Sequence, residues 1–84
     1  MIERPEDFPQ SLHELVRACD VGPVVLTFAT VEEARAFRAK FYRFRTALQD
    51  FPSYDTGLLL IADRIRTTIY HRAGVAVVLE LEAT

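Results

Sequence analysis

The chain has 84 residues, of which 50% are hydrophobic and 26% are charged, and its formal net charge at pH 7 is -2. This length suits one domain with one core, because a chain of this size buries only about 60 to 65% of the surface that it exposes when unfolded. The negative net charge argues against a general electrostatic attraction to nucleic acid or to anionic membranes.

The chain offers no signal for export or membrane insertion. Its apolar runs are far shorter than the roughly 18 to 20 residues of a membrane-spanning helix, and its first seven residues are acidic where a secretory signal would be basic and then apolar. We therefore expect a cytoplasmic protein. The single cysteine, Cys19, excludes an intramolecular disulfide, and its spacing from Leu15 and Val16 favours a buried small hydrophobe over a reactive thiol.

The first half of the chain predicts an arm, a short helix and a strand. Residues 1–10 are expected to form a loose N-terminal arm and residues 11–84 a single domain. Ser11-Leu12-His13-Glu14 fits a capping box, which predicts a helix over about residues 12–19. Residues 24–28 are β-branched and aromatic and predict a strand, and their nearly continuous hydrophobicity favours burial on both faces or a central position in the sheet.

The clearest helix start in the chain is a second capping box, Thr30-Val31-Glu32-Glu33. Beyond it, apolar residues recur at steps of three and four, and Phe51-Pro52 ends the pattern. We therefore predict a long amphipathic helix over Val31 to Gln49. Its apolar stripe consists of Ala34, Phe37, Phe41, Phe44 and Leu48.

Residues 54–62 fit either a buried strand or a short helix capped by Asp55 or Thr56, and we favour the helix. The alternating segments 64–70 and 75–82 then predict a C-terminal β-hairpin. A three-residue loop ending in Gly74 would place Ile69 opposite Val77. The same register would place Arg66 opposite Glu80 and Arg64 opposite Glu82, which gives both arginines a structural role.

These elements predict an α+β fold of the order α-β-α-α-β-β, with the long helix packed on a sheet of about three strands. A right-handed β-α-β connection would lay the first strand parallel to one strand of the hairpin.

One flank of the long helix is basic and aromatic. Residues 31–50 carry five basic and three acidic side chains, whereas the rest of the chain carries five basic and nine acidic ones. On a helical wheel, four of these side chains lie along one flank beside the apolar stripe, with Gln49 among them. We call them the Arg/Tyr surface: Arg35, Arg38, Tyr42 and Arg45. Lys40 and Arg43 lie further round the helix and are expected to face solvent.

Three interpretations of the Arg/Tyr surface remain open. Guanidinium groups around a phenol ring can hold phosphates and stack a base, as in single-strand nucleic-acid binding. The same groups can anchor a carboxylate-rich protein surface. In many amphipathic helices, however, such arginines only lay their stems over the core and pair with nearby acids.

No motif predicts catalysis, a metal or a cofactor. His13-Glu14 matches the start of a zincin helix, but Arg17 stands where the second histidine would be. His71 is expected in the hairpin turn without a second ligand at a suitable spacing. The three glycines stand singly, which excludes a phosphate-binding glycine loop. We therefore predict a protein that is not an enzyme.

The run from Phe37 to Arg45, which follows a short strand and Thr30, resembles a pattern seen in small uncharacterised phage proteins. The resemblance implies an accessory protein of a phage or mobile element, and such proteins commonly bind a host protein or nucleic acid. We expect a small binding module that acts through protein contacts, as an adaptor, an inhibitor or a homo-oligomer. The alternative is a nucleic-acid-binding domain that uses the Arg/Tyr surface.

Overall fold

The computed structural model describes residues 2–72 and 75–83, and within them the elements follow the predicted order α-β-α-α-β-β. The fold is α+β, with a three-stranded antiparallel sheet and a C-terminal hairpin. A single 3₁₀ turn, Pro5–Asp7, precedes the first α-helix. The elements are α1 (Pro9–Asp20), β1 (Val24–Phe28), α2 (Val31–Asp50), α3 (Thr56–Ala62), β2 (Ile65–Arg72) and β3 (Val75–Ala83).

The N-terminal segment is more ordered than the sequence pattern indicates. Helix α1 begins at Pro9, because proline at the first helical position has the required φ and needs no amide partner. The predicted capping box at Ser11 is therefore wrong, and Ser11 is a buried residue inside the helix. Phe8 is only 6% exposed, and its ring lies 6.1 Å from that of Phe44. Pro5 and Phe8 are thus packed against the domain, which differs from the expected loose arm.

The prediction for α2 is confirmed. Thr30 Oγ1 accepts a hydrogen bond of 3.2 Å from the Glu33 amide, as an N-cap does. In a capping box the Glu33 carboxylate would accept from the amide of Thr30. It accepts instead from the amide of Ala29, one residue earlier. The apolar stripe faces the core, with Ala34, Phe41, Phe44 and Leu48 buried and Phe37 partly buried.

Helix α3 settles the ambiguity of residues 54–62 in favour of a helix. Asp55 is its N-cap, and its Oδ1 accepts a hydrogen bond of 3.0 Å from the amide of Leu58. Such a cap satisfies one of the amides that a helix start leaves without an intrahelical partner.

The sheet has the strand order β1-β3-β2, and both pairings are antiparallel. Strand β1 therefore runs parallel to β2, as expected, but β3 lies between them. The expected central position of β1 is wrong, because β1 is an edge strand and Val25 is 40% exposed. Val24, Leu26 and Phe28 face the helices, and Val25 faces the other side of the sheet. The run is nearly continuous because Val25 is apolar although its face of the sheet is not covered by helices.

The hairpin register differs from the prediction by two residues. Ile69 pairs with Leu79 and Arg66 with Glu82, and the register shifts between Tyr70 and Arg72. The predicted opposition of Arg66 to Glu80 and of Arg64 to Glu82 is therefore wrong. A shift of two residues leaves every side chain on its predicted face, so hydrophobic alternation cannot detect it. The predicted loop includes residues 73 and 74, which lie outside the described part of the chain.

All helices cover one face of the sheet. The core between them joins Leu15 of α1 and Phe41 of α2 to Leu79 and Leu81 of the central strand. On the opposite face, Val78 is buried between its neighbours Thr27 and Tyr70 on the flanking strands. No helix in the described residues is long and apolar enough to span a membrane.

Candidate binding surface

The Arg/Tyr surface lies beside β2, the edge strand opposite β1. The link is a hydrogen bond of 2.7 Å between the hydroxyl groups of Tyr42 and Thr67. Tyr42 is 43% exposed, so its ring borders solvent while its hydroxyl contacts the sheet. The sequence pattern predicts the helix flank, and packing places that flank along the sheet edge.

The C-terminal half of the surface is organised around the ring of Tyr42. The guanidinium carbon of Arg45 lies 5.5 Å from the ring centroid, which is a cation–π contact. Gln49 donates a hydrogen bond of 3.3 Å to Asp63, at the end of α3. Tyr42, Arg45 and Gln49, together with Thr46, line a shallow depression of about 260 Å³.

The N-terminal half contains the other two arginines. Arg35 and Arg38 line a depression of about 310 Å³ together with Ile69, Tyr70 and His71 from the end of β2. His71 belongs to β2 (Ile65–Arg72), so it lies in the strand rather than in the turn where it was expected. Arg35 and Arg45 are ten positions apart, a rise of about 15 Å along the helix axis, so the two halves form one elongated surface.

The guanidinium groups of Arg35, Arg38 and Arg45 form no ion pair with any carboxylate of residues 2–72 and 75–83. The third interpretation above included pairing of these arginines with nearby acids. Within the described residues, such pairing is not found. Arg38 and Arg45 are partly buried, whereas Arg35 is exposed.

Arg43 is exposed, as expected, and it also contacts the N-terminal segment. Its Nε donates a hydrogen bond of 3.1 Å to Glu3, and its guanidinium carbon lies 5.6 Å from the ring centroid of Phe8. The hydrogen bond between the two side chains lowers the pKa of Glu3 and raises the pKa of Arg43. The two residues lie 40 positions apart, so no local sequence signal predicts the contact.

Helix α1 carries one buried carboxylate and one partly buried thiol. Glu14 is only 2% exposed and accepts hydrogen bonds from Arg17 at 2.9 Å and Gln10 at 3.3 Å. Charge-assisted hydrogen bonds of this kind offset the desolvation of a buried carboxylate. Cys19 packs partly buried against the core, and burial, with a smaller effect from Asp20, raises the pKa of its thiol.

The geometry around the histidines gives no metal site in the described residues. His13 is largely exposed, and its imidazole lies 4.0 Å from the Glu14 carboxylate. Within the described ranges, no three side chains of the metal-ligating types gather around one point.

Comparisons of the chain with protein-family models, curated proteins and solved structures found no match. The fold and the surface together define the class of protein: a small α+β domain with a basic and aromatic helix flank beside an edge strand.

Proposed function

We propose that this chain is a small non-enzymatic binding module and that its Arg/Tyr surface binds a carboxylate-rich face of a partner protein. The observation that carries the proposal is the set of three guanidinium groups without an ion pair to any described carboxylate. A guanidinium can bind a carboxylate bidentately, with geometric specificity as well as charge.

The charge distribution supports an acidic partner. Residues 31–50 carry five basic and three acidic side chains, whereas acidic side chains outnumber basic ones in the rest of the chain. A positive region on a negative molecule attracts an acidic partner in one orientation and repels it in others.

The two contacts that Tyr42 makes within the chain favour a protein partner over a nucleic acid. Its ring already contacts the guanidinium of Arg45, and its hydroxyl already bonds to Thr67. A base that stacks on the face of the ring that Arg45 covers would have to displace Arg45. The same contact holds the Arg45 guanidinium over the ring, and a carboxylate can bind it there without displacing the ring. An origin in a phage or mobile element and a cytoplasmic location remain predictions.

The test is a titration of the ¹⁵N-labelled protein, followed by NMR at about physiological salt, with two anionic probes. One probe is a hexaglutamate peptide and the other is a single-stranded oligothymidine. We expect the peptide to shift the amide signals around the Arg/Tyr surface and to bind more tightly than the oligonucleotide. Tighter binding of the oligonucleotide, with affinity falling steeply as salt increases, would contradict the proposal and support the nucleic-acid alternative.

Arg38→Gln and Arg45→Gln test the surface itself. We expect the double substitution to weaken peptide binding by at least about fivefold, which corresponds to roughly 1 kcal/mol for partly exposed charge pairs. Lys40→Gln is the matched control, because Lys40 is exposed on the same helix and lies outside the Arg/Tyr surface. The substitution removes one positive charge, as each of the two arginine substitutions does. An equal loss in the control, once scaled per charge removed, would show unspecific attraction and contradict the proposal.

A further inference from the structure

The free edge of β1 is an unpartnered strand. Within the described residues, β1 pairs only with β3, so one row of its backbone amide and carbonyl groups has no strand beside it. Such an edge is a template for pairing with another strand.

The two edges of the sheet differ in how they are protected. Strand β2 carries Arg66 and Arg72 and has a register irregularity near its end, and both charge and bulges discourage pairing between edges. Strand β1 has the sequence Val-Val-Leu-Thr-Phe, without a charge, a proline or a register shift. The edge of β1 is therefore the less protected of the two.

An uncharged groove runs along this edge. It has a volume of about 390 Å³ and is lined by Gln10, Phe37 and residues 25–28. The rings of Phe28 and Phe37 lie 5.8 Å apart at one end of it. Because no charged side chain lines the groove, a charged segment would lose its solvation there without gaining an ion pair.

We propose that a second copy of this chain occupies the groove, and that β1 of one copy pairs antiparallel with β1 of the other. A twofold axis at Leu26 makes the strand self-complementary. Val24 then lies opposite Phe28 of the other copy on the helix side, and Val25 lies opposite Thr27 on the open side. The result is one continuous sheet of six strands.

The contact is small, and small interfaces are typical of weak, reversible association. Five residues of strand extend about 17 Å, so the interface lies at the low end of specific interfaces, below about 1,200 Å² in total. We therefore expect reversible association with a dissociation constant of about 10 to 1,000 μM, the range in which small interfaces bind.

The dimer is independent of the proposed binding function, because the Arg/Tyr surface flanks the opposite edge strand, β2. Dimerisation would present two such surfaces at the two ends of the sheet and make the protein bivalent towards an acidic partner. The peptide titration can be made at about 10 μM protein, where at least about half of the chains are monomeric, so failure of one proposal leaves the other measurable.

Sedimentation equilibrium from 10 μM to 1 mM tests the dimer. We expect the weight-average mass to rise with concentration towards twice the mass of the chain. The variant Val25→Lys/Thr27→Lys places like charges directly opposite each other at both pairs and should raise the dissociation constant at least tenfold. The variant Val25→Lys/Thr27→Glu places opposite charges at the same pairs and should retain the dimer.

Both positions are exposed on the open side of the sheet, and circular dichroism checks that the variants fold. Thr68→Lys is the matched control, because Thr68 is exposed on the same side of the sheet but on the far edge strand, and it should leave association unchanged. A mass equal to one chain at every concentration would overturn the proposal. So would a dimer that is equally strong in the double-lysine variant.

Discussion

The hydroxyl contact between Tyr42 and Thr67 joins the middle of α2 to the edge strand β2, and its removal is a direct test of how the Arg/Tyr surface is positioned. Tyr42→Phe removes the phenol hydroxyl and keeps the ring beneath Arg45. Thr67→Val removes the partner hydroxyl and keeps a β-branched side chain that suits a strand.

The structure sets the expected magnitude. The two oxygens lie 2.7 Å apart, an ordinary length for a hydrogen bond between hydroxyl groups. A neutral hydrogen bond contributes about 0.5 to 1.5 kcal/mol net, and water can replace part of this one because Tyr42 is exposed. We therefore expect a coupling free energy of about 0.5 to 1 kcal/mol, which corresponds to a loss of about 2 to 8 °C in Tm for a domain of this size.

The assay is urea denaturation of the wild type, the two single variants and the double variant. The double-mutant cycle isolates the pairwise contribution, because each single substitution removes the same hydrogen bond. If the losses of the two single variants simply add, the two hydroxyl groups do not interact and the placement of α2 against β2 is wrong.

Three further predictions concern other parts of the fold. Phe8→Ala should lower the free energy of unfolding by about 3 kcal/mol, since it empties a buried ring site, whereas Ile2→Ala, at a side chain that is 70% exposed, should change it by less than about 0.5 kcal/mol; equal effects in urea denaturation would support a loose arm. Thr30→Ala should cost about 1 kcal/mol in the same assay through loss of the α2 N-cap, and an unchanged value would rule out the cap. The pKa of Glu3 is lowered in the folded state, so its stabilising contribution is complete above the unfolded value of about 4.3 and is lost as the pH falls through the folded value. NMR titration of the carboxyl should show this shift, and Arg43→Gln should abolish it.

The sequence by itself determines the elements whose signals are local. Helix α2 has its N-cap, its acidic first turn and its apolar spacing within one segment, and the structure confirms all three. The Asp55 cap of α3 is likewise a contact between residues three positions apart. The four members of the Arg/Tyr surface follow from the helical period alone, because side chains at such spacings share one flank of any helix.

Only the tertiary structure decides where these elements lie relative to one another. The hairpin register depends on a two-residue choice that leaves every face unchanged, so hydrophobic alternation is the same for both registers. The ordered N-terminal segment depends on Phe8 reaching Phe44 and on Glu3 reaching Arg43, contacts between residues that are distant in the chain. The position of β1 at an edge depends on β3 lying between it and β2, and strand composition does not distinguish an edge from a centre when one face is covered by helices.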